Sequence, residues 1–104
     1  MVLEVRSATI VDRKNAVSLW KKFADFLNKK YPNANATVAT PMTGDKVGLH
    51  RIVLIIWHDS PSAWGKCSEE LSADAEWAAL FKEHQEKQYT VWGSMAIKLY
   101  NVAD

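Results

Sequence analysis

The tract Arg51–His58, with the sequence RIVLIIWH, constrains the fold more than any other part of the chain. Its aliphatic run is unbroken, so a strand formed here carries apolar side chains on both of its faces. Such a strand is typical of the middle of a sheet that is covered on both sides. We therefore expect a central strand over Leu49–His58, with protein packed against each face.

The rest of the chain predicts further strands and two helical regions around this central strand. Strand patterns stand at 2–11, 36–40 and 89–102, and apolar residues recur at helical spacing over 12–30 and 60–88. The predicted class is α+β with the ferredoxin-like order β-α-β-β-α-β. In that fold a four-stranded antiparallel sheet carries both helices on one face.

Capping residues and prolines indicate where the helices begin and end. Asp12 offers an N-cap to the first helix and Pro32 ends it. Ser60, followed by a proline, begins the second helical region, and a further capping site in SADAEW, 72–77, predicts that this region has two parts. The Gly-containing segment TGDKVG, 43–48, is expected to form the turn of a loose hairpin.

Length and composition favour an ordinary globular protein. The 104 residues are 48% hydrophobic and 24% charged, with a formal net charge of +1, so we expect one domain over 1–104 and no nucleic-acid partner. The lone Cys67 has no cysteine to pair with and fits a reducing, cytoplasmic compartment. Because no signal-peptide pattern and no apolar run of about 20 residues are present, no membrane association is expected.

The predicted sheet needs a cover for its second face. Two helices cover one face only, and an exposed face of apolar rows is typical of an interaction surface. The simplest cover is the sheet of a second copy, which predicts a homodimer in the form of a dimeric α/β barrel.

The same outer face is where we expect a small-molecule site. Aromatic walls with a few convergent polar groups are the usual lining of such a site, so the predicted ligand is small and aromatic or apolar. The alternative is that Glu4 and Arg6 pair at a dimer seam while the aromatic residues fill space. The rows with polar members supply the candidate ligand-binding residues: Glu4, Arg6, Trp92, Lys98 and Tyr100, with either His50 and His58 or Arg51 and Trp57 of the central strand.

Three segments resemble the dimeric α/β-barrel superfamily and are most similar to its NIPSNAP-like members. They are LEVRSATIV with Glu4 and Arg6, HRIVLIIWHDS, and SADAEW with Asp74, Glu76 and Trp77. The resemblance covers nearly the whole chain and implies a homodimer with a ligand cavity between sheet and helices. Many members have no assigned activity. Relatives include cofactor-free quinone-forming monooxygenases and haem-degrading monooxygenases.

His58 stands beside Asp59 at the end of the central strand and is a weak catalytic candidate. A carboxylate can orient an imidazole that acts as a base. Adjacent residues of a strand point to opposite faces, however, so a direct contact requires the strand to have ended. We therefore expect Asp59 or Ser60 to cap the next helix and His58 to be a solvated strand end.

His84 is the other weak catalytic candidate, by resemblance alone. Haem-degrading relatives place an axial histidine in a similar position on this helix, and they also use an asparagine on the first strand. Here that strand has Ser7 and Thr9 and no asparagine. We therefore expect His84 on the helix surface and neither a cofactor nor a metal ion, with haem as the alternative.

Two functional classes follow from the sequence, and it does not decide whether the protein is an enzyme. The first is a dimeric protein that binds a small aromatic or apolar molecule. The second is a cofactor-independent monooxygenase or isomerase with a histidine as base, and a haem-degrading monooxygenase is a less favoured form of this alternative. In the enzyme, an anionic aromatic substrate would be held by Arg6, Trp92, Lys98 and Tyr100.

Overall fold

The computed structural model describes residues 1–42 and 50–103, which form one four-stranded antiparallel sheet with helices on one face. The strands are β1 (Val2–Thr9), β2 (Thr37–Ala39), β3 (Arg51–His58) and β4 (Ala96–Asn101), in the order β2-β3-β1-β4. The helices are α1 (Arg13–Lys30), α2 (Pro61–Ser72) and α3 (Ala75–Lys87). The α+β ferredoxin-like order predicted from the sequence is confirmed.

β3 lies inside the sheet, between β2 and β1, as its double apolar pattern predicts. Its alternate side chains Ile52, Leu54 and Ile56 are 0%, 2% and 1% exposed and join the core beneath α1. Its other row is half-buried and points to the face without helices; this row consists of Arg51, Val53, Ile55 and Trp57. The direction of each row, which the sequence leaves open, is thereby settled: His58 shares the helix-facing row.

α1 forms where a cap and an apolar stripe coincide. The Asp12 carboxylate accepts a hydrogen bond from the Asn15 backbone N–H at 3.2 Å, which satisfies one of the free donors of the first turn. The buried residues recur every three to four positions, so one stripe of the helix packs on the sheet. That stripe consists of Ala16, Leu19, Trp20, Phe23, Ala24 and Leu27.

The second helical region divides into two helices at the predicted capping site. The Ser60 hydroxyl accepts a hydrogen bond from the Ala63 N–H at 3.0 Å and begins α2. The Asp74 carboxylate accepts one from the Trp77 N–H at 2.9 Å and begins α3. Asp74 also pairs with Lys30 at the end of α1, 2.6 Å away, so one side chain caps α3 and connects it to α1.

The last strand is shorter than predicted. The alternating pattern begins at Val91, but residues 92–94 form a 3-10 turn and β4 begins at Ala96. The Ser94 hydroxyl explains the difference, because it donates to the Val91 carbonyl at 2.6 Å and accepts from the Thr9 N–H at 2.9 Å. A side chain thus takes the place of a strand-to-strand bond.

The described part of β3 begins at Arg51. Its predicted start at Leu49 and the predicted turn at 43–48 lie outside the described residues. In the two described segments, no helix has both the length and the apolar character needed to cross a membrane.

Two substitutions of Asp74 distinguish the contribution of its N-cap hydrogen bond from that of its ion pair with Lys30. Asp74→Asn keeps a good N-cap and loses the charge facing Lys30, so we expect the free energy of unfolding to change by less than about 1 kcal/mol. Asp74→Ala loses both and should lower it by about 1 to 2 kcal/mol. Urea denaturation measures both values, and equal losses in the two variants would show that the cap contributes nothing.

Candidate functional site

The predicted ligand-binding residues do not converge on one face of the sheet. Trp57 and Tyr100 both stand opposite Leu3 in the strand pairing, so they share the outer face, and Lys98 joins them there. Glu4 and Arg6 stand opposite Ile56 and Leu54, whose side chains lie under the helices. Their predicted placement on the outer face is therefore wrong.

Glu4 and Arg6 face inward because the interior supplies polar partners for them. Glu4 is 2% exposed, and its carboxylate accepts hydrogen bonds from Arg6 Nε at 2.5 Å and from His58 Nε2 at 2.8 Å. The Arg6 guanidinium carbon lies 5.6 Å from the centroid of the Trp77 ring. The buried carboxylate is thus paired on both oxygens, as buried charges normally are.

His58 is part of this network and not the solvated strand end expected from the sequence. It is 7% exposed, and its partner is Glu4, 54 residues away in the chain, in place of the neighbouring Asp59. Val2 stands opposite His58 in the β1–β3 pairing. Glu4 is therefore the diagonal neighbour of His58 on the same face, within reach of a long side chain.

A cleft of about 320 Å³ opens beside His58, where β3 ends. We call it the β3-end cleft; it lies between the turn that follows α1 and the first turns of α2. His58 lines this cleft, and within residues 1–42 and 50–103 its Nδ1 has no hydrogen-bond partner and is not fully buried. The cleft wall also includes Lys30, Tyr31, Trp57, Asp59, Ala63, Lys66, Cys67 and Glu70.

The Cys67 thiol and the Tyr31 hydroxyl of the cleft wall hold their protons. Burial raises the pKa of the Cys67 thiol, and the negative charges of Glu4 and Glu70 raise it further. Burial also raises the pKa of Tyr31, whose hydroxyl donates a hydrogen bond to the Glu70 carboxylate. Cys67 is consequently a neutral, buried thiol.

His84 is buried, although the sequence led us to expect it on the helix surface. It is 2% exposed, and its Nε2 lies 2.7 Å from the Thr90 hydroxyl. It follows Phe81 by one turn and Trp77 by two, and this apolar spacing was the available signal that it faces inward. Rings with centroids 5.6 to 6.5 Å away surround it: Trp20, Phe23, Phe81 and Trp92.

A haem does not fit against His84 in this arrangement. The gap between helices and sheet at this point is about 20 Å³, room for about one water molecule. The Nε2 atom is already engaged by Thr90. Ser7 and Thr9, at the strand positions compared with the haem-degrading relatives, lie on the outer face and accept hydrogen bonds from Arg51 at 2.8 and 3.2 Å.

Metal binding has no support in the described parts of the chain. No group of three or more His, Cys, Asp or Glu side chains within residues 1–42 and 50–103 could hold a metal ion. The polar groups near the β3-end cleft instead engage one another, as in the pairs Glu4–His58 and Tyr31–Glu70.

The strand order and the helices on one face define a ferredoxin-like α+β protein, and the polar network lies on the helix side of its sheet. No protein-family model matches the chain, and no curated protein matches it. Similar solved structures include a candidate antibiotic biosynthesis monooxygenase from Deinococcus radiodurans, with a TM-score of 0.71, 9% identity, and coverage of 100% of this chain and 94% of that one.

Two further solved structures agree with that fold. One is an uncharacterized NIPSNAP domain protein from Burkholderia xenovorans, with a TM-score of 0.71, 18% identity, and coverage of 99% and 95%. The other is a protein from Agrobacterium tumefaciens, with a TM-score of 0.61, 14% identity, and coverage of 99% and 94%. The three structures share the ferredoxin-like fold of this chain, so the fold that the resemblance implied is confirmed.

The buried His84 should make stability depend on pH. Burial lowers the pKa of His84 below its ordinary value of 6.5, so the unfolded chain binds the proton first as pH falls. The contribution of the neutral, buried His84 to the free energy of unfolding is fully present above about pH 6.5. It is lost as pH falls from there toward the pKa of His84 in the folded protein.

Urea denaturation at about pH 5 and about pH 8 measures this contribution. His84→Phe keeps a ring of similar size and should reduce the difference in unfolding free energy between the two pH values by on the order of 1 kcal/mol. The exposed His50 supplies the control, and His50→Gln should leave the difference as in the parent. An unchanged difference in His84→Phe would contradict the assignment.

Proposed function

We propose that this protein binds a small, mainly aromatic or apolar molecule in the β3-end cleft. The observation that carries the proposal is the buried Glu4–His58 pair at the wall of this cleft, whose volume of about 320 Å³ suits a small ligand. The wall of the cleft combines an apolar lining with a few polar side chains, among them the buried His58.

The network behind the cleft supports a binding role over a purely structural one. Removal of the Glu4 and Arg6 charges from water costs several kcal/mol per ion, and their mutual attraction offsets this cost only in part. Well-packed apolar residues often stabilise a core equally well. A buried polar network that reaches a ligand-sized cleft is therefore a candidate functional site.

We propose further that two copies of the chain associate through the outer face of the sheet. This face carries half-buried apolar side chains, and the described helices lie on the opposite face. The side chains are Leu3, Val5, Val53, Ile55 and Trp57. Trp57 also lines the β3-end cleft, so a second copy packed on this face would lie next to the cleft. The homodimer would thus complete the site as well as cover the sheet.

A second candidate function is a cofactor-independent monooxygenase. The Glu4–His58 hydrogen bond of 2.8 Å favours it, because a carboxylate-held imidazole beside a cleft can serve as a base. The Deinococcus radiodurans structure of the same fold is itself a candidate antibiotic biosynthesis monooxygenase. Oxygen consumption in the presence of hydroquinones tests this activity directly, and absence of turnover leaves binding as the function.

Filling the cleft tests the binding proposal. Ala63 lines the cleft from α2, so Ala63→Trp should block it, whereas the neighbouring Ser62 is exposed and does not line it. We expect 4-nitroanisole to shift the backbone amide signals of Trp57 and Cys67, and Ala63→Trp to weaken binding by at least about tenfold. Ser62→Trp should bind as the parent does. Equal binding by both variants would place the ligand elsewhere.

Placing a charge on the outer face tests the dimer. Ile55→Glu introduces a carboxylate into the apolar row and should give a monomer by light scattering at concentrations where the parent is a dimer. Lys14→Glu, on the exposed side of α1, should remain a dimer. A monomeric parent protein would refute the proposed association.

A further inference from the structure

We propose that His58, held by Glu4, accepts a proton from a weakly acidic hydroxyl group, of the phenol class, on the molecule bound in the β3-end cleft. This inference rests on the proposed binding function and adds the chemistry that the site would perform. It is argued from the geometry of the His58 ring: Nε2 faces the Glu4 carboxylate, and the residue lines the cleft.

The tautomer of His58 follows from its partner. An ionised carboxylate only accepts hydrogen bonds, so Arg6 Nε–H and His58 Nε2–H must both donate to Glu4. A neutral imidazole with its proton on Nε2 carries a lone pair on Nδ1. Because His58 lines the cleft while its Nε2 faces Glu4, we place this lone pair at the cleft, where the site presents a base to its ligand and not a proton donor.

The imidazolium that the transfer would form faces charged groups on both sides. When Nδ1 takes a proton, the imidazolium lies 2.8 Å from the Glu4 carboxylate, and the fixed charge of Arg6 holds that carboxylate in place. On the cleft side, Lys30, Asp59 and Lys66 line the wall, and the Glu70 carboxylate is engaged by the Tyr31 hydroxyl. In the transfer, the ligand O–H bond breaks, an N–H bond forms on Nδ1, and the electron pair stays on the ligand oxygen.

The acidity of the donor group selects the phenol class. A carboxylic acid, with a pKa of about 4, is ionised at neutral pH and needs no base, whereas the pKa of a phenol is about 10 and that of imidazole about 6.5. Aliphatic alcohols are weaker acids still. The mainly apolar lining of the cleft favours an aromatic ring as the body that carries the hydroxyl group.

The acidic groups of the protein itself do not supply this proton. Among the lining side chains, the Cys67 thiol and the Tyr31 hydroxyl keep their protons, because burial raises the pKa of each. The Tyr31 hydroxyl is also directed to Glu70. The lone pair of His58 Nδ1 is therefore left for a bound molecule.

A pair of matched probes tests this inference. 4-Nitrophenol carries the acidic hydroxyl and changes its visible absorbance when it ionises, whereas 4-nitroanisole has the same ring and no acidic proton. With the parent protein in excess, we expect the apparent pKa of bound 4-nitrophenol to fall by at least about one unit, a tenfold change in its ionisation equilibrium.

Three variants test whether the pKa shift of bound 4-nitrophenol depends on His58 and Glu4. His58→Gln keeps a donor for Glu4 and should return the apparent pKa of the bound probe to its free value, with 4-nitroanisole binding retained. Glu4→Gln removes the charge that stabilises the imidazolium and should lose most of the shift. His50→Gln, at an exposed histidine, should keep the full shift.

The outcomes distinguish this inference from the binding proposal. If 4-nitroanisole binds in the cleft but 4-nitrophenol ionises as it does free in solution, or equally in His58→Gln and the parent, the proton transfer is refuted and the binding proposal stands. If neither probe binds in the cleft, both are overturned. Should His58→Gln not fold, the Glu4→Gln result decides, because a retained full shift in that variant excludes the role of Glu4.

Discussion

The Glu4 carboxylate is the interaction on which the candidate site depends. It accepts hydrogen bonds from Arg6 on its own strand and from His58 on β3, in an interior where an unpaired charge would be costly. This one group determines that the polar row of β1 points toward the helices. It also determines that Nδ1 of His58 is the nitrogen left without a partner in the described parts of the chain, and this nitrogen is the proposed base of the β3-end cleft.

The fold was predictable from local patterns, and the site was not. The double apolar run of β3 indicates a central strand, and the caps Asp12, Ser60 and Asp74 indicate where the helices begin; each signal lies within a few residues. The direction of the β3 rows could not be predicted, because both rows are apolar. The predicted outer site failed for the same reason, since the inward direction of Glu4 depends on a histidine 54 residues away.

The two buried histidines show how environment assigns different roles to one side chain. His58 has a carboxylate on one nitrogen and lines a ligand-sized cleft. His84 has the Thr90 hydroxyl on one nitrogen, aromatic rings around it and room for about one water molecule. The second environment lowers the pKa of His84 and favours its neutral ring. Solved structures with the same fold carry different names, so function has to be argued from these sites and not from the fold.

The most direct measurement is the tautomer of His58, read from long-range proton–nitrogen NMR correlations in protein labelled with nitrogen-15 in its histidine rings. Its ring signals are assigned by their loss in His58→Gln. If Glu4 holds the imidazole as the structure shows, His58 carries its proton on Nε2 and a lone pair on Nδ1 at neutral pH. A proton on Nδ1, or rapid exchange between both nitrogens, would contradict the account, because the cleft would then face no fixed base.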